Sequence, residues 1–257
     1  MANRKYRTLR VLSSTALTPN MKRLVFSGEE LNDFPADSES GYFKLLFTPD
    51  GEPISKVEDI TMMAPVKPIM RTYTIRAFNP ESNELTVDFA LHTDNEGPAS
   101  RWANNAKGNE EIVIVGPGPA KLAEHNADWF FFIGDMTSLP AISCNLELLP
   151  DSAKGHAVIE VATEHDIQDI KSPSELTITW LIKGKQSLLE TIQSSFWYQG
   201  TPYIWCACEF SNMRALRKYF KVDKGIDKDS MYISSYWKAG MDEEQHVVVK
   251  RQDAIGG

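Results

Sequence analysis

The chain changes rhythm once. Up to the segment GPGPAKL at 116–122, apolar residues recur at every second position in short runs bounded by turn formers; beyond it, apolar strands alternate with stretches of helical period. Strands with one wet face and strands covered on both faces belong to different sheets. The reading therefore divides the chain into two domains, 1–120 and 121–257.

The first half contains YFKLLFT (42–48), RTYTIRAF (71–78), LTVDFALH (85–92) and EIVIV (111–115), a spacing that suits an antiparallel barrel. In LTVDFALH the residues Leu85, Val87, Phe89 and Leu91 share one face, assigned to the core; Thr86, Asp88, Ala90 and His92 share the other. The second half gives strands at WFFFI (129–133), HAVIEVA (156–162), LTITWLI (176–182), YIWCA (203–207) and MYISSYW (231–237). Helical patterns follow in LPAISCNLELLP, SLLETIQSS and SNMRALRKYF, the alternation of βαβ units around a parallel sheet.

Composition narrows the chemistry. An apolar fraction of 42% excludes a disordered chain, and a net charge of −8 argues against a nucleic-acid partner. Three cysteines fall short of the four thiolates that usually hold an iron–sulfur cluster, so electron transfer would need an organic cofactor. No apolar run reaches the roughly 18 residues of a membrane helix, and the N-terminal segment has no secretory pattern. The expectation is a cytosolic protein without a membrane partner.

Three segments carry candidate site residues. Arg71-Thr72-Tyr73-Thr74 puts a cation and a ring on one strand face, so the ring can stack on a flat heterocycle while the cation meets a phosphate; a plain cross-strand aromatic is the alternative. Gly97-Pro98-Ala99-Ser100-Arg101-Trp102 reads as a helix start whose backbone amides form an anion site. Gly134-Asp135-Met136-Thr137-Ser138 joins a buried strand to a helix, where open α/β sheets bind nucleotides, with Gly134 expected to let the backbone approach a ligand. There is no HExxH, no Gly-x-Ser-x-Gly and no P-loop, so neither hydrolysis nor phosphoryl transfer is supported.

Taken together, RTYTIR, DFALH followed by GPASRWA, GDMTSLPAI, ITWLIK, YIWCACE and SSYWKAG make the chain resemble the siderophore-interacting protein family across about residues 5–241. The resemblance implies an antiparallel six-stranded flavin-binding β-barrel followed by a parallel-sheet NAD(P)H-binding domain. It implies FAD held by Arg71, Tyr73, Thr74, Phe89, His92, Gly97, Pro98, Ala99, Ser100 and Trp102. NADPH or NADH would lie at Gly134, Asp135, Thr137, Lys183, Cys208 and Glu209, its nicotinamide reaching the flavin across the domain cleft. Glu160 and Glu164 favour NADH; Lys183 and Lys185, where relatives often carry an arginine, tip the reading to NADPH. Cys208 occupies a position where relatives usually have glycine, and its thiol either narrows the nicotinamide pocket or is a small buried hydrophobe.

The implied activity is reduction of a ferric siderophore, with Lys44, Lys67, Arg76, Lys250 and Arg251 as candidate cations for an anionic chelate. No side chain serves as an obligatory acid or base. A ferredoxin is an alternative electron donor. The alternative functions are a general flavin or quinone reductase, a ferredoxin-coupled oxidoreductase, and a siderophore-binding protein without redox turnover.

Overall fold

The computed structural model describes residues 5–91, 97–124 and 126–256. The chain divides into two compact units, Met1–Lys121 and Leu122–Gly257.

The first unit is an antiparallel sheet of seven strands: β1 (Tyr6–Thr18), β2 (Met21–Ser27), β3 (Tyr42–Phe47), β4 (Ile69–Thr74), β5 (Ala77–Asn79), β6 (Glu84–Ala90) and β7 (Glu111–Gly118). Their order is β4-β3-β7-β1-β2-β6-β5. The sequence reading takes RTYTIRAF as one strand, whereas the chain changes partners inside it. Ile75 still bonds to the β3 side, donating to Gly41 O at 2.8 Å and accepting from Ser40 N at 3.0 Å; Arg76 N turns to Thr86 O at 3.0 Å, beside β6. Outer strands β4 and β5 are thus consecutive in the chain. The sheet curls until two residues join its edges, which makes it barrel-like without a ladder between those strands.

Period-two alternation fills the interior as expected: Leu9, Val11, Leu24, Phe26, Phe43, Leu45, Phe47, Leu85, Val87, Phe89, Ile112 and Ile114 are all buried. Two short helices accompany the sheet, α1 (Val57–Met62) and α2 (Pro98–Asn105). Through Trp102, α2 closes the core against Phe26, Phe47 and Phe89, at ring-centroid distances of 6.1, 6.4 and 6.3 Å. Asp88, expected on the available face, is buried instead. Arg23 forks onto its carboxylate at 2.6 and 2.8 Å, and Arg76 stands 3.8 Å away.

The second unit is a parallel sheet of β8 (Trp129–Asp135), β9 (Lys154–Val161), β10 (Glu175–Ile182), β11 (Pro202–Glu209) and β12 (Met231–Trp237), in the order β10-β9-β8-β11-β12. Its helices are α3 (Leu139–Leu148), α4 (Leu188–Ser194), α5 (Phe210–Lys218) and α6 (Glu243–Gly256). Every residue of the central β8 is buried, with Trp129, Phe131 and Ile133 packed beneath α4 and α5. None of the described helices is long and apolar enough to cross a membrane.

At the junction of β8 and α3, a Cβ on Gly134 would lie 2.1 Å from Ser138 Oγ, 2.6 Å from Ile142 Cδ1 and 3.0 Å from Ala207 O. The start of its own helix and the β11 backbone fill that space, so the glycine serves strand–helix packing. Gly134→Ala is expected to lower the stability of this unit by about 1–3 kcal/mol through overpacking. Urea unfolding measures it, and an unchanged midpoint would contradict the packing role.

Candidate functional site

Two constellations stand out, one in each unit. In the first unit, Arg71 and Tyr73 lie on β4, opposite Leu45 and Phe43 of β3, and the Arg71 guanidinium turns back to Met70 O at 2.8 Å. Tyr73 is half-buried, its ring 4.3 Å from that of Phe89. Phe89 itself is fully buried, so it braces the tyrosine from the core side, and Thr74 is buried at the end of the same strand.

The start of α2 supplies a complementary feature. Gly97 takes the N-cap position and Pro98 follows, and among the described residues no side chain caps the helix. Among the described residues, a Cβ on Gly97 would meet nothing within 4 Å. The helix dipole at such a start favours an anion. Ala99, Ser100 and Trp102 are buried and anchor the turn. His92 lies outside the described residues.

Of the proposed substrate cations, Lys44 donates to Thr72 Oγ1 at 2.7 Å, across the β3–β4 pair. Lys67 is exposed on the segment leading into β4, and Arg76 sits beside Asp88 at the sheet corner. Lys250 donates to Ser234 Oγ at 2.7 Å and to Ser235 O at 2.9 Å, which ties α6 to β12, and desolvation pulls its pKa down. Arg251 is exposed on the same helix.

In the second unit, the strand order reverses between β8 and β11, and open α/β sheets bind ligands outside the C-terminal strand ends at such a point. Asp135 ends β8 there and is buried. One carboxylate oxygen accepts from Thr137 N at 2.9 Å and Thr137 Oγ1 at 2.6 Å; the other accepts from Glu209 N at 3.1 Å and Trp237 Nε1 at 2.8 Å. This single side chain ties together the ends of β8, β11 and β12. The Asp135 carboxylate and the Thr137 hydroxyl, expected to meet a nucleotide, hold these strand ends in position.

Around this knot, the Glu209 carboxylate caps α5 through Ser211 N and Asn212 N, at 2.5 and 3.3 Å, and accepts from Ala239 N at 3.3 Å. Lys183 lies over the Trp237 ring at 5.5 Å. Glu160, paired with Asp135 in register, has its carboxyl pushed up by burial and by the Asp135 charge, against the pull of Lys183. Trp237 was not among the expected site residues, since only the parallel pairing brings its strand end to those of β8 and β11; Glu160 was expected to bear only on the choice of nucleotide.

Cys208 does not line an opening. Its side chain is fully buried in the core beneath α5, 3.9 Å from the Cys206 sulfur, and that neighbour together with burial pushes the thiol pKa far up. It is the small buried hydrophobe of the two readings.

The constellations can now be set beside known proteins. Residues 10–121 match the siderophore-interacting FAD-binding domain, and residues 127–240 match the siderophore-interacting protein. The chain belongs to the siderophore-interacting protein family. It is 31% identical over 251 residues to the ferric vibriobactin reductase ViuB of Vibrio cholerae, covering 92% of each chain. Its structure is similar to that of the siderophore-interacting protein SipS of Aeromonas hydrophila, with a TM-score of 0.86, 32% identity and 99% of both chains covered. The fold extends to ferredoxin-NADP+ reductase of Plasmodium falciparum, at a TM-score of 0.65 and 15% identity over 90% of this chain and 97% of that one. Within this siderophore-interacting family, the first unit is the FAD-binding domain.

The buried groups set two expectations. All three cysteines are free and buried, so a disulfide-exchange reagent at pH 8 should label none of them in the folded protein and all three in denaturant; rapid native labelling at Cys208 would reopen its assignment to a pocket. His246 of α6 is also buried, 2.8 Å from Ser235 Oγ, with its pKa lowered from 6.5 by burial and then by Lys250, and raised less by Glu243 and Glu209. The unfolded histidine therefore binds its proton at higher pH than the folded one. Stability from this contact is complete above about pH 6.5 and drains away as the pH falls toward the lower folded value. Protection factors of the α6 amides, the observed exchange rates set against the intrinsic rates at each pH, should fall below pH 6.5 in the parent and lose that dependence in His246→Phe.

Proposed function

We propose that the protein reduces ferric siderophores in the cytosol, using FAD in its first unit and a nicotinamide nucleotide as donor. The observation that supports this reading lies in the FAD-binding domain: a helix start that no described side chain caps and a half-buried tyrosine on the Arg71–Tyr73 strand, proposed to serve the two ends of one ligand. These residues fit FAD: the helix start at Gly97 favours a diphosphate, and Tyr73 offers a ring face braced by Phe89. Arg71, Thr74, Pro98, Ala99 and Ser100 complete the proposed set. FAD, when bound, accepts two electrons as a hydride and can release them singly, matching a nicotinamide donor to a one-electron ferric acceptor.

The chain's own contribution is positioning. Tyr73 orients the heterocycle, the α2 dipole and Arg71 hold the phosphates, and the knot at Asp135 keeps the strand ends of the second unit in place for the nucleotide. Iron is substrate here. Siderophore oxygen donors are hard and favour Fe(III), so reduction itself loosens the metal without a protein ligand. Lys44, Lys67 and Arg76 are proposed to attract an anionic chelate. The match to a ferric vibriobactin reductase along 92% of the chain supports this acceptor class, whereas no feature of the chain supports a ferredoxin donor.

The purified protein should be yellow, with flavin absorbance near 450 nm (roughly, as for any oxidised flavin). Reduced anaerobically, it should be reoxidised by a ferric catecholate siderophore faster than by a quinone. Tyr73→Ala should weaken FAD retention at least tenfold, about 1.4 kcal/mol, within the range of one lost ring contact. A colourless protein, or a reduced flavin that only quinone reoxidises, would overturn the proposal.

A further inference from the structure

The donor proposed above leaves a choice at the ribose 2′ position, and the second unit carries an observation that decides it. In a βαβ unit, the turn after the second strand meets the adenosine ribose: a carboxylate there accepts from a 2′-hydroxyl, while a 2′-phosphate needs a cation. Here that turn follows β9 and contains Glu164, an exposed carboxylate 2.6 Å from Lys185 Nζ. The other lysine of the 183–185 turn, on which the sequence reading rests NADPH, lies over Trp237 at 5.5 Å, beside Glu160. Lys238, after β12, lies over Phe210 at 4.6 Å. Each of these three lysines is engaged, and Asp135, Glu160, Glu164, Asp166 and Glu209 outnumber them at the C-terminal strand ends.

A 2′-phosphate would bring about 1.5 to 2 further negative charges into this field. Exposed ion pairs exchange partners readily, so Lys185 could swing to a phosphate, but Glu164 would still stand beside it. We infer that the second unit selects NADH over NADPH, with Glu164 as the residue that discriminates against the 2′-phosphate and accepts the 2′-hydroxyl.

This inference rests on the proposed nucleotide site, and binding separates the two. Isothermal titration of the FAD-loaded protein at low salt with ADP-ribose and with 2′-phospho-ADP-ribose reads the 2′ position without turnover. ADP-ribose should bind at least about tenfold tighter, a difference that one nearby like charge can supply. Glu164→Gln should shrink that ratio about tenfold at unchanged thermal midpoint, whereas Glu190→Gln, on exposed α4, should leave it unchanged. Tighter or equal binding of the phosphorylated ligand to the parent, or an unaltered ratio in Glu164→Gln, would overturn the selectivity. If neither ligand bound, the nucleotide site itself would fall, and the FAD-binding reading of the first unit would stand.

Discussion

The second unit depends on one buried carboxylate. Parallel strands end side by side, and the order of the sheet reverses between β8 and β11, so the chain must diverge there. Asp135 meets this with four donors from three chain segments, among them Glu209 N and Trp237 Nε1. A buried charge is tolerable only when hydrogen-bonded this fully, and full bonding makes it rigid. The strand ends, Trp237 and the Lys183 that lies on its ring all take their places from that carboxylate. A site built there is preorganised by the protein's own polar groups.

The first unit solves a different problem, the two free edges of an antiparallel sheet. A continuous strand from Arg71 to Phe78 would have stayed with β3 and left β6 open along its outer side. The chain instead releases β3 after Ile75 and takes up β6 at Arg76, so a single covalent link joins the edges. The bend brings Arg76 to Asp88, already gripped by Arg23. It also leaves Tyr73 at the end of β4, where its ring is braced by Phe89 yet half open.

Much of this was legible in the residues. The change from period two to alternating strands and helices near 116–122 announced two kinds of sheet, and Gly97-Pro98 announced the start of α2. Where a side chain points was not legible. Ser138 and Ile142 occupy the space beside Gly134. The Lys250 ammonium turns to β12. Helix α6 is fastened by polar contacts through His246 and Lys250 as well as by Val249 against the core.

By itself the sequence determined the two periodicities, the turn residues, the acidic balance and the motif set of the siderophore-interacting family, since all of these are local or additive properties of the residues. Tertiary structure alone decided which carboxylates meet which donors and cations: Asp135 with the Trp237 indole, Glu164 with Lys185, and Asp88 between two arginines. The physical reason is that ion pairs and hydrogen bonds act over a few ångströms between groups far apart in the chain. Strand register, which no local pattern encodes across a parallel sheet, sets those distances.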